Sequence, residues 1–316
     1  MDLIMHADYA ALEELGATPD TMNLVDRGEM ARVIELGGEP QRTPGGSCAN
    51  TLRGFSWLSQ GELEQPVFMG AVGEDDDGTI FENILEKLKV RPALSFKSTP
   101  TGKSAIIVTP DYKRTMFTYL GACRDFDQDD VEWDLFTKAD YFYTTGFMWD
   151  TENQKLATRR AIEAALKNET TIIFDLADPF VVERYRDELR DYLPGKIDVL
   201  FANRDELKAM TGKSSNSDIL EAASYLADMV VMKTGAEGCS LLIDGVMKSI
   251  PGNKVEPRDT TGAGDSFASG FLYGIIKGRS PEESGKLANK LASSIVTVEG
   301  CDYSRLNRGK VIESGS

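Results

Sequence analysis

Histidine is almost absent from this sequence: His6 is the only one in 316 residues. That removes histidine-based triads and multi-histidine metal sites, so acid–base chemistry falls to carboxylates, lysine, tyrosine or cysteine. Cysteine is scarce too. Cys48, Cys123, Cys239 and Cys301 are scattered and form no Cys-x-x-Cys pair, which reads as reduced thiols in a cytoplasmic protein. No apolar run approaches the roughly 18 residues of a membrane span, and the N-terminus lacks a basic-then-apolar leader. Positive charge is in deficit, with 35 Lys and Arg against 51 Asp and Glu and a net charge of −16. Nucleic-acid backbones and anionic membranes repel such a surface. A local nest of donors on an acidic protein still binds a small anion.

Two common nucleotide signatures are also missing. No Gly-x-Gly-x-x-Gly occurs, which weakens a dinucleotide oxidoreductase reading. Gly-Lys-Ser occurs at residues 102–104 and 212–214. A P-loop needs a glycine five residues earlier, and those positions hold Lys97 and Leu207. The acidic run Glu74-Asp75-Asp76-Asp77 lacks the alternation of an EF-hand loop and reads as the cap of a helix starting near Thr79.

What is present is a chain 41% apolar, enough for one large α/β domain with a small appendage. Repeats and low-complexity linkers are absent. From about residue 139 short apolar strands alternate with helices. Strands are predicted at 141–145, 171–176, 197–202 and 229–233, and helices at 152–166, 180–192, after Gly264, and from 281 to about 298. That alternation predicts a parallel sheet with helices on both faces. The first third reads as a helix over 49–59, a strand over 67–72, a helix over 79–88, and two β-rich pieces, 103–109 and 114–120. The turn Pro110-Asp111-Tyr112-Lys113 joins the last two.

The most informative segment is Asp259-Thr260-Thr261-Gly262-Ala263-Gly264-Asp265-Ser266-Phe267. Its glycines let the backbone bend and expose N–H groups. A small, apolar helical run follows to Ile276. A helix N-terminus holds anions, whereas a carboxylate in its first turn would repel them and suits a general base. The combination points to phosphoryl transfer. Amides of Gly262, Ala263 and Gly264 stabilise the migrating group, and Asp265 takes a proton from the acceptor hydroxyl. A bare turn capping a core helix is the bland alternative.

The full string resembles the C-terminal signature of the ribokinase-like (PfkB) family of carbohydrate and nucleoside kinases. Thr43-Pro44-Gly45-Gly46-Ser47-Cys48-Ala49-Asn50 is similar to that family's N-terminal signature. The resemblance covers nearly the whole chain. It implies a three-layer, doubly wound, mostly parallel sheet in a single domain over 1–316, with a small β lid from segments near 21–36 and 103–120. In the lid, Met22–Val25 and Ala31–Leu36 would partner the two β-rich pieces, and closure would exclude water.

The resemblance also implies roles. Asp2, Gly45, Gly46, Asn50 and Phe147 would bind the acceptor. Asn203 and Glu206 match an Asn-x-x-Glu pair that organises water around Mg²⁺ and the triphosphate, although locally they also read as an N-cap with an acidic first turn. Lys233, Thr234, Gly235 and Gly238 match the nucleotide-facing loop, and Asn289 an adenine-side position. Asp259 and Thr261 match part of a monovalent-cation site, which implies K⁺ activation. ATP and Mg²⁺ are the implied cofactors, and a monomer or homodimer the implied assembly. Asp2 stands where a strand would normally precede it. A longer natural N-terminus is therefore expected, with Asp2 at the acceptor site near Gly46 and Asn50.

Several stretches resemble adenosine kinases more than ribokinases or fructokinases: 100–109, 114–122, Gly146-Phe147-Met148-Trp149 and Asp175-Leu176-Ala177-Asp178-Pro179-Phe180. A nucleoside base needs a flat apolar slot, which Phe147, Met148, Trp149, Tyr119 and Leu120 would supply unless they are core. The expected activity is ATP-dependent phosphorylation of a primary hydroxyl on an adenosine-like nucleoside or a sugar, with a sugar or sugar-phosphate kinase of the fructokinase or ribokinase type as the alternative within the family. A non-catalytic nucleotide or nucleoside sensor is the alternative of another class.

Overall fold

The computed structural model describes residues 1–19, 21–111 and 113–313. Tyr112, in the predicted hairpin turn, lies outside the described residues, as do the last three residues of the predicted domain. The chain divides into two compact units, residues 1–49 with 67–126, and residues 50–66 with 127–316.

The first unit holds β1 (Asp2–His6), α1 (Tyr9–Glu14), β2 (Met22–Leu24), α2 (Arg27–Gly37), β3 (Gln41–Thr43) and the start of α3 (Ser47–Ser59). After the return of the chain come β4 (Val67–Gly73), α4 (Asp76–Lys87), β5 (Arg91–Lys97), β6 (Lys103–Val108) and β7 (Arg114–Tyr119). Five strands form one sheet in the order β2-β7-β6-β1-β3, and β4 pairs with β5. Side chains alternate across the larger sheet. Met5, Ala105, Ile107 and Phe117 pack with Leu12 of α1 and Met30 and Val33 of α2, while Ile4, Ile106 and Val108 form a separate cluster.

The predicted hairpin strands and the 22–25 strand are therefore present. Residues 31–36 are helical instead of a strand. Asp26 and Glu29 form a reciprocal capping box at the start of α2, and its buried Met30, Val33 and Gly37 recur at three and four residues. That is the period of a helix, not of a strand. β1 also has partners on both sides, Thr43 facing Asp2 in β3 and Ser104 facing it in β6.

The second unit contains the rest of α3 and a six-stranded sheet, β8 (Tyr141–Thr145), β9 (Thr171–Asp175), β10 (Val199–Asn203), β11 (Met229–Lys233), β12 (Gly238–Ile243) and β13 (Val246–Pro251). Their order is β13-β12-β11-β10-β9-β8. β8 to β11 are parallel, and the β12–β13 hairpin adds two antiparallel strands at one edge. The helices are α5 (Glu152–Lys167), α6 (Pro179–Tyr192), α7 (Arg204–Thr211), α8 (Asn216–Ala223), α9 (Ala263–Ile276), α10 (Pro281–Ile295) and α11 (Arg308–Glu313). Capping boxes start α5, α7 and α10, and proline occupies the first turn of α6 and α10.

Helices cover both faces of this sheet. Ile173, Phe201, Val231 and Leu241 pack with Phe267 and Phe271 of α9 and Leu287 and Leu291 of α10. On the other face Phe174 meets Trp149, which also packs on Tyr192 of α6. Trp149 is fully buried, so it is core and no part of a base slot. No helix among the described residues is long and apolar enough to cross a membrane.

Phe271 is fully buried, and its ring lies 5.3 Å from Phe201 and 6.1 Å from Phe267. Phe271→Ala is expected to cost about 3–5 kcal/mol of unfolding free energy, the usual cost of emptying such a position. Urea denaturation measures it, and a loss under about 1 kcal/mol would mean that α9 is not anchored through this ring.

Candidate active site

The parallel strands of the second unit end in polar residues, β9 at the register of Phe201 and β10 and β11 two residues further on. Asn203 ends β10 opposite Lys233 of β11, and Asp175 of β9 pairs with Phe201 on one side and Thr145 of β8 on the other. The carboxyl ends of parallel strands are where open α/β sheets bind ligands. Asp175 is 2% exposed, and Lys233 Nζ donates to its Oδ2 at 2.9 Å and its Oδ1 at 3.2 Å. Burial works to discharge the Lys233 ammonium, but the Asp175 and Glu206 carboxylates outweigh it and raise its pKa. Directly after Asp175 the chain turns through Ala177, which has a φ of 71°. The Ala177 N–H donates to Asp175 Oδ1 at 3.0 Å. Asp175 is absent from the sequence-expected site residues. Its signal was a carboxylate closing an apolar strand.

Asn203 and Glu206 form a capping box at the start of α7. Glu206 accepts from the Asn203 N–H at 2.7 Å and from Asn203 Nδ2, and its own N–H donates to Asn203 Oδ1 at 2.8 Å. The N-cap reading is therefore the geometry observed. Glu206 is more than a cap, however. It is 1% exposed, and burial raises its pKa to about 7 although Lys233 opposes the shift.

The 259–265 loop runs into α9 through Gly262, whose φ is 71°. A side chain there would be strained and would also come within 2.5 Å of Cys301 Sγ. Asp259 anchors the loop, its oxygens accepting from the Thr261 N–H at 2.9 Å and the Gly300 N–H at 2.7 Å. The Ala263 N–H is committed to Thr260 O at 3.2 Å. The N–H groups of Gly262 and Gly264 have no hydrogen-bond partner among the described residues, and no side chain caps α9. Those two donors are what the helix offers an anion. Gly264 has no positive φ, and a Cβ on it would stand an unstrained 3.7 Å from Lys233 Nζ. The tight turn thus belongs to Gly262, whereas Gly264 keeps open the space in front of the ammonium.

Asp265 lies in the first turn of α9, half-buried. Its Oδ2 accepts from Asn50 Nδ2 at 2.9 Å. The Asn50 amide, expected to serve the acceptor, is thus engaged by the carboxylate. α3 reaches α9 closely because residue 54 is glycine: a Cβ there would run into Ser269 Oγ and the Tyr303 hydroxyl. Ser269 Oγ bridges the two helices, its one hydroxyl proton shared between Thr51 O and Asp265 O, each 2.8 Å away.

The remaining expected residues are scattered in role. Thr234 donates its N–H to Gly238 O at 2.9 Å. Gly235 and Gly238 have φ values of 62° and 105°, so the loop's own geometry requires them. Asn289 is the residue matched to an adenine-side position. It is buried and its Nδ2 donates to Ile250 O and Pro251 O at 3.2 Å each, so its donor group is spent tying α10 to β13. Phe147 is 43% exposed. Among the described residues no group of three or more His, Cys, Asp or Glu side chains is set to hold a metal ion. No disulfide joins the four cysteines.

In the first unit, Gly45 lies directly against Asp2. A Cβ at Gly45 would overlap the Asp2 carboxylate, and Gly46 follows with a φ of 95°. Asp2 thus sits beside the paired glycines, held by strand pairing. Asp75 caps α4 as expected, and it also accepts from the Thr101 N–H at 2.9 Å. Burial opposes its ionisation, but the Thr101 and Gly78 donors hold its pKa below the usual value.

Two outcomes follow for purified variants. Gly262→Ala is expected to lower the melting temperature, while Gly264→Ala folds normally; equal melting temperatures would remove the distinction between the two positions. The second outcome concerns pH. The folded pKa of Glu206 is raised from 4.5 to about 7, so its contribution to stability is complete below about pH 4.5 and lost as the pH rises through about 7. Between pH 5 and 8 wild type should lose more melting temperature than Glu206→Gln; parallel curves would show that Glu206 titrates normally.

The family model described as "pfkB family carbohydrate kinase" matches residues 15–308. The adenosine kinase of Saccharomyces cerevisiae is 29% identical over 286 residues, covering 84% of this chain and 81% of that protein. The crystal structure of adenosine kinase from Sinorhizobium meliloti superposes with a TM-score of 0.90 at 30% identity, over 100% of this chain and 96% of that one. A probable sugar kinase protein from Rhizobium etli CFN 42 does so with a TM-score of 0.90 at 30% identity, over 99% and 94%. With its signature loop, its doubly wound sheet and these matches, the chain belongs to the pfkB carbohydrate kinase family, in the adenosine-kinase-like branch, and is a phosphotransferase with an alcohol acceptor.

Proposed function

We propose that the chain transfers the γ-phosphoryl group of ATP to a primary hydroxyl of a nucleoside, adenosine or a close analogue. The observation that carries this reading is Asp265 in the first turn of α9, beside the unpartnered N–H groups of Gly262 and Gly264. Asp265 takes the proton of the hydroxyl as its oxygen attacks the γ-phosphorus. The new O–P bond forms, the bond to the bridging oxygen breaks, and ADP leaves. The Gly262 and Gly264 amides and the Lys233 ammonium stabilise the charge on the transferred group. The Ala263 amide, already bonded to Thr260, orders the turn.

The donors fit a polyphosphate: two N–H groups at a helix start and a buried cation among mostly acidic surroundings. Mg²⁺ bound to ATP supplies further charge neutralisation. Glu206 is the residue assigned to hold its water, since the Asn203 donors on both Glu206 oxygens suit an indirect contact better than direct ligation. Lys233, Thr234, Gly235 and Gly238 form the loop assigned to the nucleotide. A monovalent cation such as K⁺ would meet the carboxylate of Asp259. In the first unit, Asp2 with Gly45 and Gly46 is assigned to the acceptor's hydroxyls. Phe147, exposed beside the buried Trp149, is assigned to the base.

Nucleosides rank first because relatives named adenosine kinase match most of the chain. Sugars are the second acceptor class, favoured by the equally good superposition on a probable sugar kinase. ATP consumption over a panel of nucleosides and sugars, with K⁺ and with Na⁺, decides between them. Turnover with adenosine and little with ribose or fructose is expected, and turnover with sugars alone would reverse the ranking. No turnover with any acceptor would favour a nucleotide sensor. Asp265→Asn is expected to bind ATP normally and to lose roughly two to four orders of magnitude in kcat, the usual worth of a positioned base. Wild-type turnover in a folded Asp265→Asn enzyme would remove Asp265 from the chemistry.

A further inference from the structure

The hydrogen bonds around Asp265 continue inward to Arg53, which no step above uses. Arg53 lies on α3, one turn after Asn50, and is 8% exposed. Its Nη1 donates to Asn50 Oδ1 at 2.8 Å and its Nη2 to Cys301 O at 3.1 Å. A guanidinium only donates, so the end of the Asn50 amide that faces it must be the carbonyl oxygen. The NH₂ end is then turned to Asp265 Oδ2, where it donates at 2.9 Å. With the amide reversed, an NH₂ would face the guanidinium and an oxygen would face the carboxylate, both repulsive.

We propose that Arg53 is a positioning residue for the general base: it locks the Asn50 amide in its donor orientation and so holds the Asp265 carboxylate in place and ionised. This rests on the reading of Asp265 as base. A donated hydrogen bond favours the ionised carboxylate, and the nearby guanidinium polarises the amide that donates it. Other groups also face this carboxylate. The Lys233 ammonium of β11 and the Cys301 thiol both interact with Asp265 electrostatically. The Tyr303 hydroxyl bonds Ser266 Oγ at 2.9 Å and Asn50 O at 3.3 Å. Lys233 is held by Asp175, and burial pushes the Cys301 thiol up to about 11. Changes at Arg53 therefore leave the charge of both groups as it was. A purely structural Arg53, tying α3 to the Cys301 carbonyl, would make none of this difference to the base.

The test compares wild type, Arg53→Gln, Arg53→Lys and Asp265→Asn with adenosine and MgATP. It reads kcat, the KM for ATP, and kcat against pH. Gln is too short to carry a donor to Asn50 Oδ1 and lacks the charge, so it removes both, whereas Lys keeps the charge and a donor. Arg53→Gln is expected to lower kcat about 10- to 100-fold, as removal of a supporting group around a reactive centre does. Its acid limb should move to higher pH by about one unit, with KM for ATP nearly unchanged. Arg53→Lys should return the limb to the wild-type position. An acid limb that stays in place in Arg53→Gln, whether or not kcat falls, overturns the proposal. If Arg53→Gln does not fold, Asn50→Ala removes the same donor one step nearer, and its acid limb decides in the same way. Asp265→Asn separates the two levels. If it loses activity while the Arg53→Gln limb is unmoved, only the positioning role fails. If it keeps full activity, the base assignment fails and the role of Arg53 with it.

Discussion

The strand ends of the second unit are organised around the largely buried ammonium of Lys233. Lys233 leaves the end of a central strand with its ammonium bonded to Asp175, near Glu206, and it faces the open side of Gly264. An ammonium at that depth is tolerable only with its partners in place; removing one of them leaves an uncompensated charge. Asp175 must therefore end its strand within reach of Lys233, which stands two residues further along in register, and the Ala177 turn must follow at once. Glu206 must face inward, so α7 starts where its cap brings that carboxylate down. Three parallel strands and two helix starts thus share one electrostatic requirement, and it concentrates charge at the end of the sheet where a phosphate-bearing ligand is expected.

A second constraint is the close approach of α3 to α9. Glycine at 54 and serine at 269 let the two helices meet backbone to side chain, with Ser269 bonded to both. The contact brings Asn50 to Asp265. The first turn of α9 then carries opposite demands side by side: N–H donors open to an anion, and a carboxylate that is itself held by a donor. Gly262 makes room for this by taking a left-handed conformation against Cys301, and Asp259 fixes the loop behind it through two backbone N–H groups.

Much of the fold was legible along the chain because its signals are local. The strands at 141–145, 171–175 and 229–233 are short apolar runs. The helices at 152–167, 179–192 and 281–295 carry caps or an early proline. The hairpin at 238–251 lay outside the expected elements, although Asp244-Gly245 at its tip is a common turn pair. The expectation of a strand over 31–36 came from the family resemblance and not from periodicity, whereas the Asp26–Glu29 cap and the spacing of Met30, Val33 and Gly37 mark a helix. At the site, the Gly262–Asp265 segment was legible as a glycine turn that opens a helix with a carboxylate in its first turn. Trp149 was not separable from a ligand contact, because a buried indole reads the same in sequence whether it meets a ligand or another ring.

The sequence by itself determined the elements, the family signatures and the identity of the carboxylate in the first turn of α9, since each depends on neighbours within a few residues. Tertiary structure decided the partners. Asn50 meets Asp265 across 215 residues of chain and Arg53 meets Cys301 across 248, and Lys233 meets Asp175 across 58. Nothing local encodes such pairs. They follow from strand register and helix approach, and only these fix which donor reaches which carboxylate, how deeply each is buried, and therefore what each group does.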